Sequence, residues 1–297
     1  MYKPHVKNVA VESCFYEVTG ADGQPSDEVE QELSGLEGAA ISALTEIDRT
    51  ERPPAFGCKD QCTLATFLAV QYTRTPMHRE QIMFPERVAE YAGGREVDAA
   101  LMAEYLEQVH LGEKPQDGEV NGALDFVQVA LQDRTFFTKD NAIQLAFSNI
   151  EMLSDILRQM CWSLEVSREP RFITSDAPLV LWRKPRVDDQ YKGFGLLDAE
   201  EVRFPISPFM QLVLTPEVRT PRAWVHPKRT TACNAELALT CYRVIVGHPQ
   251  HEKRLKFLEL PERRAVVRFN RGPGYRAMPD GSQEYMGEVL HQWVPRR

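Results

Sequence analysis

The sequence predicts an α+β fold in which an N-terminal helical bundle is followed by a β-rich mixed half. Apolar residues recur at helical spacing through the first half of the chain, and this spacing changes to alternation after Pro170. Strands and helices do not alternate regularly, and no glycine-rich turn follows a predicted strand. The pattern therefore favours segregated helices and strands over a dinucleotide-binding sheet.

The change in spacing divides the chain into four predicted segments. They are an N-terminal strand and loop segment (1–25), a helical bundle (26–168), a β-rich half with two short helices (169–270) and a C-terminal tail (271–297). The tail contains several glycines and prolines and few apolar side chains, so we expect it to pack only through those side chains.

The first predicted helix, residues 26–48, has the clearest apolar stripe. Asp27 and Glu30 form a capping pair at its start, and Pro53 with Pro54 ends the element. The stripe consists of Val29, Leu33, Leu36, Ala40, Leu44 and Ile47. The same reasoning predicts helices over 60–74, 77–91, 96–110, 119–134 and 141–165.

In the second half, short runs of alternating apolar residues predict strands, which we expect only after Pro170. They cover 171–182, 201–206, 210–215, 223–226, 243–247 and 264–269. Two helices, 230–241 and 251–258, interrupt them.

Composition excludes several classes of protein. The chain of 297 residues is 43% apolar, enough for a sizeable core, and its formal net charge is −8. This charge argues against general nucleic-acid binding, so a nucleic-acid partner is possible but not favoured. No apolar stretch is long enough to span a membrane and no leader pattern is present, so the expected location is cytoplasmic. Six cysteines are too few for a disulfide framework, and the sequence indicates no particular cofactor.

A hydroxyl and carboxylate triplet interrupts the apolar run from Arg171 to Trp182. Asp176 is a candidate general base or metal ligand, with Ser175 as a helper hydroxyl. The alternative is a turn or bulge in which Asp176 accepts hydrogen bonds from backbone amides before Pro178. A carboxylate in such apolar surroundings needs partners in either case.

Two further segments supply candidate polar groups. Asn234, near the start of a predicted helix, either binds a ligand or ties that helix to the strand of Asp176. Arg74, at the end of an apolar helix, is a candidate partner for an anion or a carboxylate, or a simple helix cap. If Gln71 and Glu37 point inward with Arg74, the bundle contains a polar patch.

Several motifs together resemble a known family. They are Phe172-Ile173-Thr174-Ser175-Asp176-Ala177-Pro178, Phe204-Pro205-Ile206-Ser207-Pro208, Asn234 followed by Arg243-Val244-Ile245-Val246-Gly247, Gln71-Tyr72-Thr73-Arg74-Thr75-Pro76 and the opening Val6 to Tyr16. This order resembles the bacterial domain-of-unknown-function family 4238 over roughly residues 5–250.

The resemblance has one departure. Members of that family usually begin with a segment that contains paired histidines, and we expect this chain to lack it, so no role of those histidines carries over. Without that segment, a strand edge or apolar patch of the β-rich half is expected to be uncovered, which predicts self-association or a protein partner there.

Two functional hypotheses follow. In the first, the protein is an enzyme or toxin-like effector of the hydrolase or nuclease class, with a site between the helical and β-rich halves. Asp176, Asn234 and Arg74 would be catalytic, and the further binding residues would be Ser175, Gln71 and Glu37. In the second, it is a non-catalytic ligand- or protein-binding module in which the same polar residues join the two halves. The contacts among Asp176, Asn234 and Arg74 distinguish the two.

Overall fold

A computed structural model describes residues 18–19, 25–26, 28–116, 118–132, 149–185, 194–258, 267–277 and 283–293. The helices are α1 (Glu28–Thr50), α2 (Lys59–Thr73), α3 (Pro76–Ala92), α4 (Ala99–Tyr105), α5 (Glu119–Gln132), α6 (Ile150–Gln159), α7 (Pro227–Thr240) and α8 (Glu252–Leu255). A π-helical turn, Leu106–Leu111, continues α4. The strands are β1 (Val18–Thr19), β2 (Pro25–Ser26), β3 (Cys161–Val166), β4 (Thr174–Ser175), β5 (Val180–Trp182), β6 (Glu201–Ser207), β7 (Met210–Thr215), β8 (Arg222–Trp224), β9 (Ile245–Val246), β10 (Arg268–Ala277) and β11 (Gln283–Trp293).

The predicted α+β class is confirmed, and local chemistry explains the boundaries of the bundle helices. The Thr75 hydroxyl accepts a hydrogen bond from the His78 amide, and Pro76 occupies the first helical position of α3. Gly93 then ends α3 in a left-handed conformation with φ of 56°, which a residue with a side chain rarely adopts. These caps fix where α3 starts and stops.

Five strands form the central sheet in the order β5, β6, β7, β3, β8. All neighbours are antiparallel except β3 and β8, which are parallel. Two smaller pairs, β1 with β2 and β4 with β9, and a long hairpin of β10 and β11 lie outside this sheet. The sheet therefore includes β3, which lies in the predicted helical bundle (26–168), together with four strands of the predicted β-rich half (169–270).

The two faces of the sheet are covered by different elements. One face carries alternate apolar residues such as Leu164 and Leu212, which form a single core with α1, α2 and α6. On the opposite face, Val180 packs with Leu237 of α7. The result is three layers, with bundle helices below the sheet and α7 above it.

A second core lies between α3, α4, α5 and the hairpin. Phe84 and Phe269 are almost wholly buried there, and their ring centroids are 4.6 Å apart. Buried His110 places its Nε2 3.0 Å from both the backbone nitrogen and the backbone oxygen of Val267. A Cβ atom added to Gly122 of α5 would lie 3.3 Å from Phe269 Cβ, so the missing side chain allows close packing. The hairpin is thus part of the fold.

The prediction that strands begin only after Pro170 is wrong. The strand β2 and the six-residue β3 begin earlier, and β3 occupies the end of the predicted helix 141–165. Leu157, Met160 and Leu164 have helical spacing, but α6 ends at Gln159 and Met160 is already extended. The apolar residues from Leu157 onward are compatible with the spacing of a helix and with the alternation of a strand. In the sheet, residues 161–166 have more neighbouring side chains to pack against than they would have in a helix.

The described part of the expected C-terminal tail consists of strands. Residues Arg268–Ala277 and Gln283–Trp293 pair as an antiparallel hairpin, with an irregularity between Pro273 and Tyr275. The predicted strand over 171–182 is divided into β4 and β5 by the segment that contains Asp176. Most of residues 1–25, and residues 133–134 and 141–148 of the predicted helices, lie outside the described residues.

Candidate functional site

The Asp176 carboxylate is bound by backbone amides that follow α7. Its Oδ1 accepts from the Tyr242 amide at 2.9 Å and its Oδ2 from the Arg243 amide at 2.6 Å. Its own amide donates to the Val244 carbonyl at 3.2 Å. Ser175 Oγ accepts from the Ala177 amide at 3.1 Å, which completes the turn before Pro178. These contacts match the structural alternative for the triplet, in which it organises the local backbone.

The Cys241 thiol also faces this carboxylate. Burial, together with the negative charge of Asp176 and a hydrogen bond to it, raises the pKa of Cys241 to about 12. Cys241 is therefore a protonated thiol, and a thiol is a poor nucleophile compared with a thiolate. Asp176 thus binds three consecutive residues, 241–243, where α7 ends.

We expect Asp176→Asn to lower the free energy of unfolding by about 1–3 kcal/mol, because an amide oxygen is a weaker acceptor than a carboxylate and the new NH₂ group faces amide donors. Urea unfolding monitored by circular dichroism measures the change. Asp198→Asn, in the short turn before β6, provides an exposed aspartate control. An unchanged midpoint for Asp176→Asn would contradict the structural role.

Asn234 joins α7 to the segment before β4. Its Nδ2 donates to the Arg171 carbonyl at 2.8 Å, and its Oδ1 accepts from the Ile173 amide at 3.4 Å. The side-chain amide therefore satisfies one donor and one acceptor of an extended backbone, as a neighbouring strand would. These contacts support the structural tie over a ligand contact.

Arg74 contacts a different part of the molecule. Its Nη1 lies 2.7 Å from Glu37 Oε1, and both side chains are partly exposed. Gln71 is buried on the same helix as Arg74. Arg74 and Glu37 therefore form a partly exposed ion pair, and the inward polar patch with Gln71 stays a prediction.

The structure does not bring the three predicted catalytic residues together. Among the described residues, no hydrogen bond or ion pair joins Arg74 to Asp176 or to Asn234. Helix α2 packs on one face of the sheet, whereas Asn234 lies in α7 and Asp176 contacts the segment after α7, on the other side. A catalytic role for the three residues stays a prediction, and their contacts account for them structurally.

A different set of charged residues converges on the sheet face beneath α7. We call it the arginine–glutamate cluster: Glu165, Glu201, Arg203, Arg219 and Arg229. Three arginines reach the carboxylate of Glu201, with distances of 2.6 Å from Arg203 Nε, 2.7 Å from Arg229 Nη2 and 2.8 Å from Arg219 Nη2. Arg229 also donates from Nε to Glu165 Oε1 at 3.0 Å.

The alternation of the strands explains why these residues share a face. Glu201 and Arg203 occupy alternate positions of β6, and Glu165 of β3 is directly opposite Gln211 of β7. Gln211 Nε2 donates to Glu165 Oε2 at 2.5 Å and to Cys233 Sγ of α7 at 3.2 Å. The apolar residues between them point to the bundle, so the polar ones must face α7.

The cluster is buried at its centre and open at one side. Arg203 and Glu201 are 2% and 3% exposed, whereas the side chains of Arg229 and Arg219 are 28% and 43% exposed. The guanidinium of Arg203 also lies over the Trp182 ring, 4.7 Å from its centroid. With three arginines and two glutamates, the formal charge of the cluster is +1. The arginine–glutamate cluster therefore carries a net positive charge that is partly buried.

Two buried polar atoms in this region have no hydrogen-bond partner. Arg203 Nη2 forms no hydrogen bond of good geometry, but it lies 2.5 Å from Glu201 Oε2 and is therefore ion-paired. Thr230 Oγ1 is the second, and Thr230 lies one turn before Cys233 on the buried side of α7. Unsatisfied buried polar groups are rare, and a bound water, an ion or a ligand can supply the partner.

The surroundings determine the ionisation of two groups in the cluster. Burial opposes ionisation of Glu201, but the charges of Arg203 and Arg229 and hydrogen bonds from Arg229 and Arg219 outweigh it, so the pKa of Glu201 is lowered. Burial raises the pKa of the Cys233 thiol, although Arg203, Arg229 and Gln211 act in the opposite direction. Glu201 is therefore a carboxylate and Cys233 a thiol near neutral pH.

The lowered pKa of Glu201 predicts a stability change with pH. Its ionised form stabilises the fold above the usual carboxyl pKa of 4.5, and this contribution is lost as the pH falls through the lower pKa of the folded state. We expect wild-type protein to exceed Glu201→Gln in stability at about pH 7, and the gap to shrink at about pH 3. Urea unfolding at both values measures it, and a gap that stays constant would contradict the prediction.

Sequence reasoning missed the whole cluster. One signal was present, because Gln211 interrupts the strand Met210–Thr215, in which every residue is buried. Glu201 and Arg203 alternate with apolar residues, which is also the pattern of a solvent-exposed face. No group of three or more histidine, cysteine, aspartate or glutamate side chains able to hold a metal occurs in the described part of the chain.

Comparison with known proteins identifies one family. A family model described as "Protein of unknown function (DUF4238)" matches residues 2–251, most of the chain. No curated protein and no solved structure matches. Within the described ranges, no helix is long and apolar enough to cross a membrane.

Proposed function

Because the chain belongs to the DUF4238 family of proteins of unknown function, we propose its function from its own geometry: it binds an anionic ligand at the arginine–glutamate cluster. The observation that carries this proposal is the convergence of Arg203, Arg219 and Arg229 on one buried carboxylate, which leaves the cluster with a formal charge of +1. A buried charge is costly unless an opposite charge compensates it. An anionic ligand would compensate the remaining positive charge.

Access and charge support the same function. Arg219 and Arg229 reach solvent while Arg203 does not, so a ligand would pass the first two before it meets the third. The net positive charge of the cluster attracts an anion despite the net charge of −8 on the whole chain. Planar guanidinium groups bind carboxylate and phosphate oxygens well.

The chemistry of the cluster supports binding better than acid–base catalysis. Glu201 is held ionised by three arginines and Cys233 is held protonated by burial, so neither titrates near neutral pH. Asp176, the expected general base, is occupied by backbone amides. Among the two hypotheses from the sequence, the ligand-binding module therefore has more support than a hydrolase or nuclease.

Isothermal titration calorimetry with acetate, sulfate and inorganic phosphate tests the proposal. We expect wild-type protein to bind at least one of these anions saturably, and Arg219→Gln to weaken that binding about tenfold, because one charge-assisted contact is lost. Arg49→Gln is the matched control, since Arg49 forms an exposed ion pair with Glu46 on α1. Absence of binding, or equal weakening by both substitutions, would contradict the proposal.

A further inference from the structure

We propose that the bound group of the ligand carries a single negative charge, as a carboxylate or a phosphodiester does, and that Glu201 sets this selectivity. The inference rests on the proposed function and adds the ligand class. Three arginines and two glutamates leave the cluster with one uncompensated positive charge. A monoanion neutralises that charge, whereas a dianion leaves a net negative charge in a partly buried site.

Glu201 is the residue that limits how much negative charge a ligand bound at the cluster can carry. Its two oxygens take contacts from Arg203, Arg219 and Arg229, and it is only 3% exposed. A ligand that reaches the free side of these guanidinium groups therefore lies beside a fixed carboxylate. Repulsion from that carboxylate grows with each charge on the ligand, so it discriminates against dianions.

The space around Arg203 further restricts the contact. Trp182 covers one face of its guanidinium at 4.7 Å, and Nε is taken by Glu201. Nη2 also lies 2.5 Å from Glu201 Oε2, so a ligand would meet the Nη1 edge of the guanidinium, where an in-plane oxygen binds best. Thr230 Oγ1, next to Arg229 on α7, is a buried hydroxyl without a hydrogen-bond partner.

The charge of the ligand can be varied while the protein stays unchanged. We would titrate wild-type protein by calorimetry with acetate, dimethyl phosphate and inorganic phosphate at about pH 8, where inorganic phosphate is mainly a dianion and the other two are monoanions. The expected result is that one monoanion binds at least about tenfold tighter than inorganic phosphate at equal ionic strength. The preferred monoanion identifies a carboxylate or a phosphodiester as the source.

A test of the role of Glu201 requires a substitution that removes its negative charge. Glu201→Gln raises the net charge of the cluster to +2, and we expect it to increase affinity for inorganic phosphate by about tenfold while monoanion affinity changes less. If that variant does not fold, Glu165→Gln removes the same charge from a side chain that is 12% exposed. Glu46→Gln, in the exposed pair on α1, is the control.

The outcomes separate this inference from the proposed function. If wild-type protein binds none of the three anions, the proposed function fails. If it binds inorganic phosphate more tightly than both monoanions, the proposed function survives and the charge selectivity is wrong. If the monoanion preference holds but the Gln variant leaves the ratio of affinities unchanged, Glu201 does not set the selectivity.

Discussion

Replacing Glu201 by alanine is expected to lower the free energy of unfolding by about 3–5 kcal/mol, because it leaves a buried guanidinium without its counter-ion. Arg203 is 2% exposed and cannot recover its hydration in the folded state. Arg219 and Arg229 lose the same acceptor, although both reach solvent. Urea unfolding monitored by tryptophan fluorescence and circular dichroism measures the difference, with coincident transitions required for a two-state comparison.

The exposed pair of Glu46 and Arg49 provides the control for this prediction. Glu46 Oε1 lies 2.6 Å from Arg49 Nη2, a contact as short as those in the cluster. Because both side chains are largely solvated, we expect Glu46→Ala to leave the unfolding midpoint nearly unchanged. Equal effects of the two substitutions would show that burial does not distinguish the cluster from an ordinary surface pair.

Replacing Phe269 by alanine is expected to cost about 3–5 kcal/mol, since it removes a fully buried ring from the second core. Phe269 lies in β10 and contacts Phe84 of α3 and Phe126 of α5, with ring centroids 4.6 and 5.7 Å apart. The substitution should also free the hairpin from α5. Hydrogen exchange should therefore speed up at amides of residues 268–277 more than in the central sheet.

Met286 is the matched position on the same hairpin, because its side chain is 51% exposed. We expect Met286→Ala to change neither the unfolding midpoint nor exchange along β10 by a measurable amount. If Phe269→Ala were equally neutral, the hairpin would not contribute to the second core, and the described packing against α5 would be wrong.

The sequence correctly predicted the helices and strands whose apolar residues fit only one periodicity. Helix α1 has its apolar stripe over six turns, and its predicted range of 26–48 agrees closely with Glu28–Thr50. Strand β3 was missed because Leu157, Met160 and Leu164 continue the helical stripe, although Met160, Trp162, Leu164 and Val166 also alternate. The hairpin was missed because glycines and prolines in 270–297 also indicate irregular structure, and the contacts that stabilise the paired strands come from distant elements such as α5.

The candidate site was harder to predict for a related reason. Asp176, Asn234 and Arg74 were selected because each is a polar residue in an apolar segment, but such residues also bind neighbouring backbone, as Asp176 and Asn234 do. Glu201 and Arg203 were not selected, because their alternation with apolar residues is also typical of a solvent-facing side of a strand. Whether that side meets water or α7 depends on tertiary packing, which alternation within one strand does not encode.

The hairpin has a consequence for how the chain folds. His110 contacts Val267 across 157 positions of sequence, and Arg268 contacts Glu119 across 149. Contacts between such distant positions form late, because a long loop must close before they contribute any stability. Until then, the apolar surfaces of α3, α4 and α5 lack their cover, so a refolding intermediate with exposed hydrophobic surface should accumulate and should aggregate as protein concentration rises.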